Sequence, residues 1–113
     1  MKLKFLLVAL VLIATSNVAT AQKKSVEKVI IQTSAVCEMC KTTIEEGMVY
    51  VKGVREADLN LEDFKLTVTY RADKTDPEAI KKAIAKLGYT ADDVKPAQKD
   101  FDKLHECCKA PHD

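Results

Sequence analysis

Four cysteines, arranged as two close pairs, are the residues of this chain whose type and spacing can do chemistry. Two residues separate Cys37 from Cys40, whereas Cys107 and Cys108 are adjacent. A thiol that loses its proton becomes a thiolate, which is a nucleophile and also a ligand for soft metal ions. Thiols can also form disulfides in an oxidising compartment. The pairs therefore indicate metal binding, thiol–disulfide exchange or structural cross-links.

The Cys37-x-x-Cys40 pair is predicted to lie where a strand leads into a helix. Residues 26–33 are rich in β-branched side chains, which predicts a strand that ends at the pair. Cys40, Ile44 and Met48 then recur at helical spacing, so the helix begins at the cysteines. The positive end of a helix favours thiolate and lowers the pKa of a nearby thiol. Both thiols can therefore converge on one ion.

Two thiolates form a site of low coordination number. Such a site suits Cu(I) or Hg(II) in linear geometry, whereas structural Zn(II) normally takes four ligands. It also leaves the ion open to an incoming thiolate, which a metal carrier requires and a structural site avoids. Cu(I) is therefore the expected ion, with Zn(II) and Hg(II) as further candidates.

The remaining sequence predicts a ferredoxin-like sandwich around this pair. Further strands are predicted at residues 54–61, 65–71 and 89–94. A second helix has Asp76 as its N-cap, Pro77 at its first position and Gly88 at its end. The resulting order, βαββαβ over residues 25–95, predicts an α+β fold with a four-stranded antiparallel sheet and both helices on one face.

Several short segments around the cysteine pair carry a family resemblance. They are Lys52-Gly53-Val54, Leu59-Asn60-Leu61, Leu66-Thr67-Val68, Asp76-Pro77-Glu78 and Leu87-Gly88-Tyr89-Thr90-Ala91. With the pair, they make residues 26–94 resemble the heavy-metal-associated domain of copper chaperones, copper-ATPase modules and periplasmic mercury-binding proteins. The resemblance implies that Cys37 and Cys40 bind metal and pass it to a metal-transporting ATPase or another CxxC protein. It also implies that Tyr89 shields the metal.

The chain departs from the sequence Gly-Met-Thr/His-Cys-x-x-Cys that this family usually has. The three positions before the first cysteine are Ser34-Ala35-Val36. Ala35 is smaller than the family methionine that packs beneath the loop, so we expect it to fill less of the space there. Met39, inside the pair, is either a surface contact or a weak thioether ligand. Phe64 stands where the family commonly has a hairpin glycine.

A second cluster of soft or borderline ligands lies in the tail, at His105-Glu106-Cys107-Cys108 and His112. Three interpretations are open. In the first, the tail folds back, so that Cys107 or Cys108, with or without His105, completes the first site to three or four ligands, which favours Zn(II) or sequestered Cu(I). Alternatively, the tail captures metal independently. In the third, its cysteines form disulfides, to the first pair or between chains, and four cysteines allow three pairings.

The first 21 residues have the features of an export signal. Lys2 and Lys4 precede an apolar run at residues 5–14, which is too short to cross a bilayer as a helix. Ala19-Thr20-Ala21 has the form of a signal-peptidase site, so cleavage is expected before Gln22. The alternative is an uncleaved membrane anchor. We expect an exported protein, periplasmic or secreted, without stable membrane association after cleavage.

Residues 22–113 would form the mature chain, with the metal-binding domain at 22–95 and the Cys/His tail at 96–113. Cleavage subtracts two lysines and no acids, leaving 16 basic and 17 acidic residues and a net charge of −1. This balance predicts no nucleic-acid partner and no attraction to anionic membranes. We expect a monomer or a weak dimer.

These features favour an exported carrier or scavenger of copper or a similar soft ion, rather than an enzyme. One alternative is a thiol–disulfide oxidoreductase with Cys37 as the attacking thiol. Against it, the predicted order of elements is not that of thioredoxin. The other alternative is a small secreted domain whose cysteines only form stabilising disulfides.

Overall fold

The chain from residue 25 to residue 109 forms a three-stranded sheet, two main helices and two short helical segments. A computed structural model describes these residues, and the predictions for the export signal at 1–21 and for His112 lie outside them. Within this range no helix has the length and apolar character needed to cross a membrane. The elements are β1 (Val26–Gln32), α1 (Glu38–Met48), β2 (Val54–Leu59), β3 (Lys65–Arg71), α2 (Pro77–Lys86), α3 (Gln98–Asp102) and a 3-10 turn (Glu106–Cys108).

β3 is the central strand of the sheet, which is antiparallel and has the order β1-β3-β2. Its alternate side chains Leu66, Val68 and Tyr70 are buried, as the sequence pattern predicts. Leu66 pairs with Ile31 on one side and with Leu59 on the other. Because paired residues of antiparallel strands point to the same face, all three strands place their apolar side chains on one side of the sheet.

The two longer helices bury their apolar faces against this side. α1 buries Cys40, Ile44 and Met48, which confirms the predicted helical face. α2 buries Ile80 and Ile84, and all of these side chains belong to one apolar core. Burial of one large aliphatic side chain stabilises a fold by about 1.5–3 kcal/mol. The position of Cys40 is therefore set by the packing of the whole helix.

Local signals set both ends of α2, as predicted. The Asp76 carboxylate accepts a hydrogen bond from the Ala79 backbone N–H at 2.8 Å, and Pro77 begins the helix. Gly88 follows the helix with a φ of 107°, in the region that favours glycine. A Cβ at Gly88 would also lie 2.7 Å from the Asp100 carbonyl oxygen. The glycine therefore both ends the helix and lets α3 pass close to it.

The sheet has three strands in the described part of the chain, which corrects the prediction of four. The segment 89–94 makes only a single bridge to β1's end, between Ala91 and Thr33. Asp92 has a φ of 53°, which is not extended backbone, and its carboxylate accepts a hydrogen bond from the Gln32 N–H at 2.8 Å. A side chain thus replaces the backbone partner that a fourth strand would supply.

β2 ends two residues earlier than predicted, because a turn begins at Asn60. The Asn60 carboxamide oxygen accepts a hydrogen bond from the Glu62 N–H at 2.7 Å, and its carbonyl oxygen accepts one from the Phe64 N–H at 2.7 Å. Phe64 has a φ of 58°, a conformation uncommon for a residue other than glycine. Leu61 consequently lies in the turn and is 42% exposed.

The tail folds back onto the domain. Leu104, after α3, packs against the apolar core. Phe101 is partly buried, and the Lys109 ammonium lies 5.9 Å from the centre of its ring in a cation–π arrangement. Cys108 is 2% exposed. The tail cysteines are therefore held against the domain rather than extended from it.

Replacing Asp76 with alanine is expected to lower the free energy of unfolding by about 1 kcal/mol, because the Ala79 N–H loses its acceptor. Asp76→Asn keeps an acceptor oxygen at the same position and should retain most of the stability. Urea unfolding followed by far-UV circular dichroism measures both variants. An equal loss in both would show that the negative charge, rather than the cap, stabilises the helix.

Candidate metal centre

Hydrogen bonds between the loop after β1 and the segment after α2 position the first cysteine pair. The Ser34 N–H donates to the Thr90 carbonyl oxygen at 3.2 Å, and the Thr90 N–H donates to Ser34 Oγ at 2.9 Å. The Ala35 N–H donates to Thr33 Oγ at 3.2 Å, and Ala35 is only 2% exposed. The small side chain at position 35 is thus enclosed beneath the loop. Sequence reasoning missed the role of Ser34, since a loop serine has no distinctive pattern.

Cys37 is the N-cap residue of α1, which confirms that the helix begins at the pair. Its backbone is extended, and its carbonyl oxygen accepts hydrogen bonds from the N–H groups of Cys40 at 3.0 Å and Lys41 at 3.2 Å. The Cys37 side chain forms no capping hydrogen bond. Its sulfur therefore lies at the positively polarised end of the helix.

The thiols of Cys37 and Cys40 lie side by side, with 3.3 Å between their Sγ atoms. Cys40 is fully buried, whereas Cys37 is partly exposed. All four cysteines of the chain carry free thiols in this structure. One thiol of the pair is therefore fixed in the core and the other is accessible from solvent.

The structure brings one tail cysteine into the same cluster. The Sγ atoms of Cys37, Cys40 and Cys108 all lie within 4.8 Å of one another, with 3.9 Å between Cys37 and Cys108. The exposed Cys107 has its Sγ 3.6 Å from that of Cys37 but is not part of the group. His105 is exposed and also lies outside the group. Of the predicted tail residues, the structure adds Cys108 to the first pair.

Two exposed apolar side chains flank the cluster. Val36 is 42% exposed and Met39 is 45% exposed. The Met39 Sδ lies 3.8 Å from the Sγ of Cys107. Met39 therefore extends a sulfur-rich surface around the cluster, as the surface-contact interpretation of this residue expects.

The thiols of Cys37 and Cys108 have very different pKa values, because their surroundings in the cluster differ. Burial raises the pKa of Cys37, but the Cys40 N–H and the thiols of Cys40, Cys107 and Cys108 outweigh this and lower it from 9.0 to about 7. Burial raises the pKa of Cys108 to about 12, with further increases from the Cys40 and Cys37 thiols and an opposing effect of Tyr89. In the metal-free chain, Cys37 is therefore the more acidic of these two thiols.

Tyr89 neighbours the Cys108 and Cys40 thiols and is fully buried. Its hydroxyl is the one buried side-chain nitrogen or oxygen that forms no hydrogen bond of standard geometry among residues 25–109. Burial, followed by the neighbouring Cys108 and Cys40 thiols, raises the pKa of this hydroxyl far above its usual value. The hydroxyl is therefore a neutral group next to the sulfur atoms of Cys108 and Cys40.

A three-stranded antiparallel sheet under two helices, with a Cys-x-x-Cys pair at the first strand–helix junction, defines a class of small metal-binding α+β modules. Residues 31–90 match the heavy-metal-associated domain, and the chain belongs to this family. The resemblance inferred from the sequence is thereby confirmed.

Relatives with known roles match about half of this chain. The copper chaperone CopZ of Staphylococcus epidermidis is 34% identical over 53 residues, which cover 47% of this chain and 78% of CopZ. A zinc-transporting ATPase of Synechocystis is 41% identical over 54 residues, or 48% of this chain. The match spans only 8% of the ATPase. The similarity therefore concerns one module of that larger protein.

Solved structures confirm the ferredoxin-like relationship. A CopZ metallochaperone has a TM-score of 0.55 at 30% identity and covers 57% of this chain and 98% of its own. Oxidised MerP from Ralstonia metallidurans CH34 has a TM-score of 0.57 at 26% identity, with 59% and 94% covered. The similarity thus includes nearly all of each small relative and leaves part of the present chain unmatched.

The lowered pKa of Cys37 predicts its reactivity with iodoacetamide. Since the thiolate reacts and the thiol does not, the alkylation rate of the metal-free chain should rise with pH, reach half its plateau near pH 7 and level off above it. Cys108, with a pKa of about 12 and a buried sulfur, should remain unmodified over the same range. Peptide mass spectrometry after short alkylation pulses measures each site separately.

The matched control is Cys37→Ser, in which the phase with a midpoint near pH 7 should disappear. A midpoint near pH 9 for Cys37 in the original chain would contradict the acidifying effect of the neighbouring groups.

Proposed function

We propose that this chain binds Cu(I) through Cys37 and Cys40 and acts outside the cytoplasm as a carrier or scavenger of that ion. One observation carries the proposal: two free thiols, 3.3 Å apart, lie at the N-terminus of α1 in a heavy-metal-associated domain. The helix end favours the negative charge of thiolates, and soft thiolates favour Cu(I) over harder ions.

The unequal exposure of the pair suits metal transfer. Cys40 is buried in the core, so it keeps a fixed position while an ion is bound, whereas Cys37 is partly exposed. An incoming thiolate forms a bond to Cu(I) as the bond to Cys37 breaks, and the oxidation state of the ion does not change. The Cys37 sulfur that leaves remains a thiolate or takes a proton from water. This exchange requires no separate catalyst.

The expected partner is a protein that presents a similar thiol pair. The relatives include a copper chaperone and a zinc-transporting ATPase. We infer that the acceptor or donor is the CxxC module of a metal-transporting ATPase, or another CxxC protein. Val36 and Met39 would provide apolar contacts around the transferred ion, since both are exposed beside the cysteines. Such small surfaces suit transient complexes.

Competition for Cu(I) tests the proposal directly. The reduced protein, titrated anaerobically against a chromophoric Cu(I) chelator, is expected to remove one ion per chain. The Cys37→Ser/Cys40→Ser variant should lose this binding by at least about a hundredfold, because both proposed ligands are removed, and alteration of outer-shell groups alone costs ~10–100-fold. Equal binding by the original chain and the double variant would refute the assignment.

The matched control is Met39→Leu, which keeps the size of the side chain and removes its sulfur. Its affinity should stay close to that of the original chain, because Met39 is placed in the surface around the site. An insulin-reduction assay distinguishes metal transfer from thiol–disulfide exchange. Rapid catalytic turnover of insulin would favour the oxidoreductase alternative, and we expect none.

Export is expected from residues 1–21. Expression of the full chain in a bacterium with a periplasm should yield a product that begins at Gln22 in the periplasmic fraction. Ala21→Phe removes the small residue at the expected cleavage site and should leave the signal attached. Fractionation and intact-mass measurement report both results, and a product that retains Met1 in the cytoplasm would contradict the proposal for location.

A further inference from the structure

We propose that Cys108 is a third sulfur ligand of the same ion, so that the tail completes a three-thiolate site. This inference rests on the proposed function, because it requires that Cys37 and Cys40 bind metal. It changes the predicted character of the site, since three ligands hold Cu(I) more firmly than two and leave less room for an incoming thiolate.

The distances among the three sulfur atoms suit one ion. Three sulfurs placed around an ion at about 2.3 Å lie about 4 Å from one another, by simple trigonal geometry. Here the Sγ atoms of Cys37 and Cys108 are 3.9 Å apart, and those of Cys37 and Cys40 are 3.3 Å apart. All three sulfur atoms fall within 4.8 Å of one another. Small side-chain rotations would therefore be enough to place an ion between them.

Cys108 fits this role better than the other tail residues. Cys107 approaches Cys37 at 3.6 Å but lies outside the group that includes Cys40, and its side chain is exposed. An ion shared by the first pair is consequently within reach of Cys108 rather than of Cys107. The exposed His105 also falls outside the group. The adjacent cysteines thus have different environments, one inside the cluster and one at its surface.

Packing holds the tail in place without any contribution from metal. Leu104 lies against the apolar core, four residues before Cys108. An added Cβ at Gly88 would come within 2.9 Å of Leu104 carbon atoms and 2.7 Å of the Asp100 carbonyl oxygen, so the tail passes directly over the glycine. Because the position of Cys108 is already fixed, little conformational entropy is lost when it binds an ion.

The buried hydroxyl of Tyr89 provides a second, independent observation. This group forms no hydrogen bond of standard geometry, although it is fully buried and neighbours the Cys40 and Cys108 thiols. Buried polar groups are normally hydrogen-bonded, and an unpaired one is costly. A metal-bound thiolate would accept the Tyr89 hydrogen. The loaded site would therefore give this donor a charged acceptor where the metal-free site offers only thiols in poor geometry, and the hydroxyl would stabilise the negative charge of the sulfurs.

A three-sulfur site has a consequence for transfer. An acceptor must displace Cys108 as well as Cys37, and displacement of Cys108 requires the segment after Leu104 to move away from the cluster. The tail therefore acts as an internal competitor of the acceptor thiolates. The chain should hold its ion against small-molecule thiols and release it only to a partner that offers at least two sulfur ligands.

X-ray absorption spectroscopy of the full reduced protein loaded with one Cu(I) tests this assignment. The original chain should show three sulfur neighbours, and Cys108→Ser should show two. The Cu(I) affinity of Cys108→Ser should be at least about tenfold lower, because loss of an outer-shell group alone costs ~10–100-fold. Cys107→Ser is the matched control, and it should keep three sulfurs and the original affinity.

The outcomes separate the two proposals. Two sulfurs in the original chain, with binding lost in Cys37→Ser/Cys40→Ser, would overturn the third ligand and leave the carrier function in place. Failure of the original chain to bind Cu(I) would overturn both. A decrease from three sulfur neighbours to two in Cys107→Ser would show that Cys107, and not Cys108, is the third ligand, and would overturn the proposal. If Cys108→Ser does not fold, as judged by its amide spectrum, the sulfur count of the original chain and of Cys107→Ser decides.

Discussion

Four hydrogen bonds join the end of β1 and its following loop to the segment after α2, and they are the constraint on which the sulfur cluster depends. Gln32 and Ser34 pair with Asp92 and Thr90 through backbone and side-chain atoms, at donor–acceptor distances of 2.8–3.2 Å. The loop continues into the first cysteine pair, and the segment continues into the tail. This junction therefore fixes the distance between the two parts of the cluster, which is a property of the tertiary structure and not of the Cys-x-x-Cys sequence alone.

The features that local signals govern could be predicted from the sequence. The alternation of β3, the cap at Asp76 and the start of α1 at Cys37 each depend on a few neighbouring residues. The segment 89–94 has a strand-like pattern too, but the Asp92 side chain takes the place of a backbone partner. The location of Cys108 was one of three interpretations, because it depends on contacts with residues 71 positions away. No periodicity encodes such a contact.

Membership of the heavy-metal-associated family accounts for the domain, whereas the tail lies outside the residues that match the family. The matched residues end at position 90, before the turn that contains Cys107 and Cys108. The tail nevertheless contacts the first cysteine pair, since both of its cysteines lie within 4 Å of the Cys37 sulfur. Its position sets two requirements against each other, since an accessible Cys37 favours exchange while a covered cluster favours retention. In the proposed carrier, the short segment that follows Leu104 would set the balance between exchange and retention.

The placement of Cys37 and Cys108 in one cluster has a consequence for folding. These residues are 71 positions apart, so nearly the whole domain lies between them. An ion held by both would act as a reversible cross-link that the folded chain forms and that is lost when unfolding separates the two thiols. Occupancy and folding would then be linked equilibria, in which each favours the other. The cluster would then stabilise the folded domain as well as bind the ion that the domain carries.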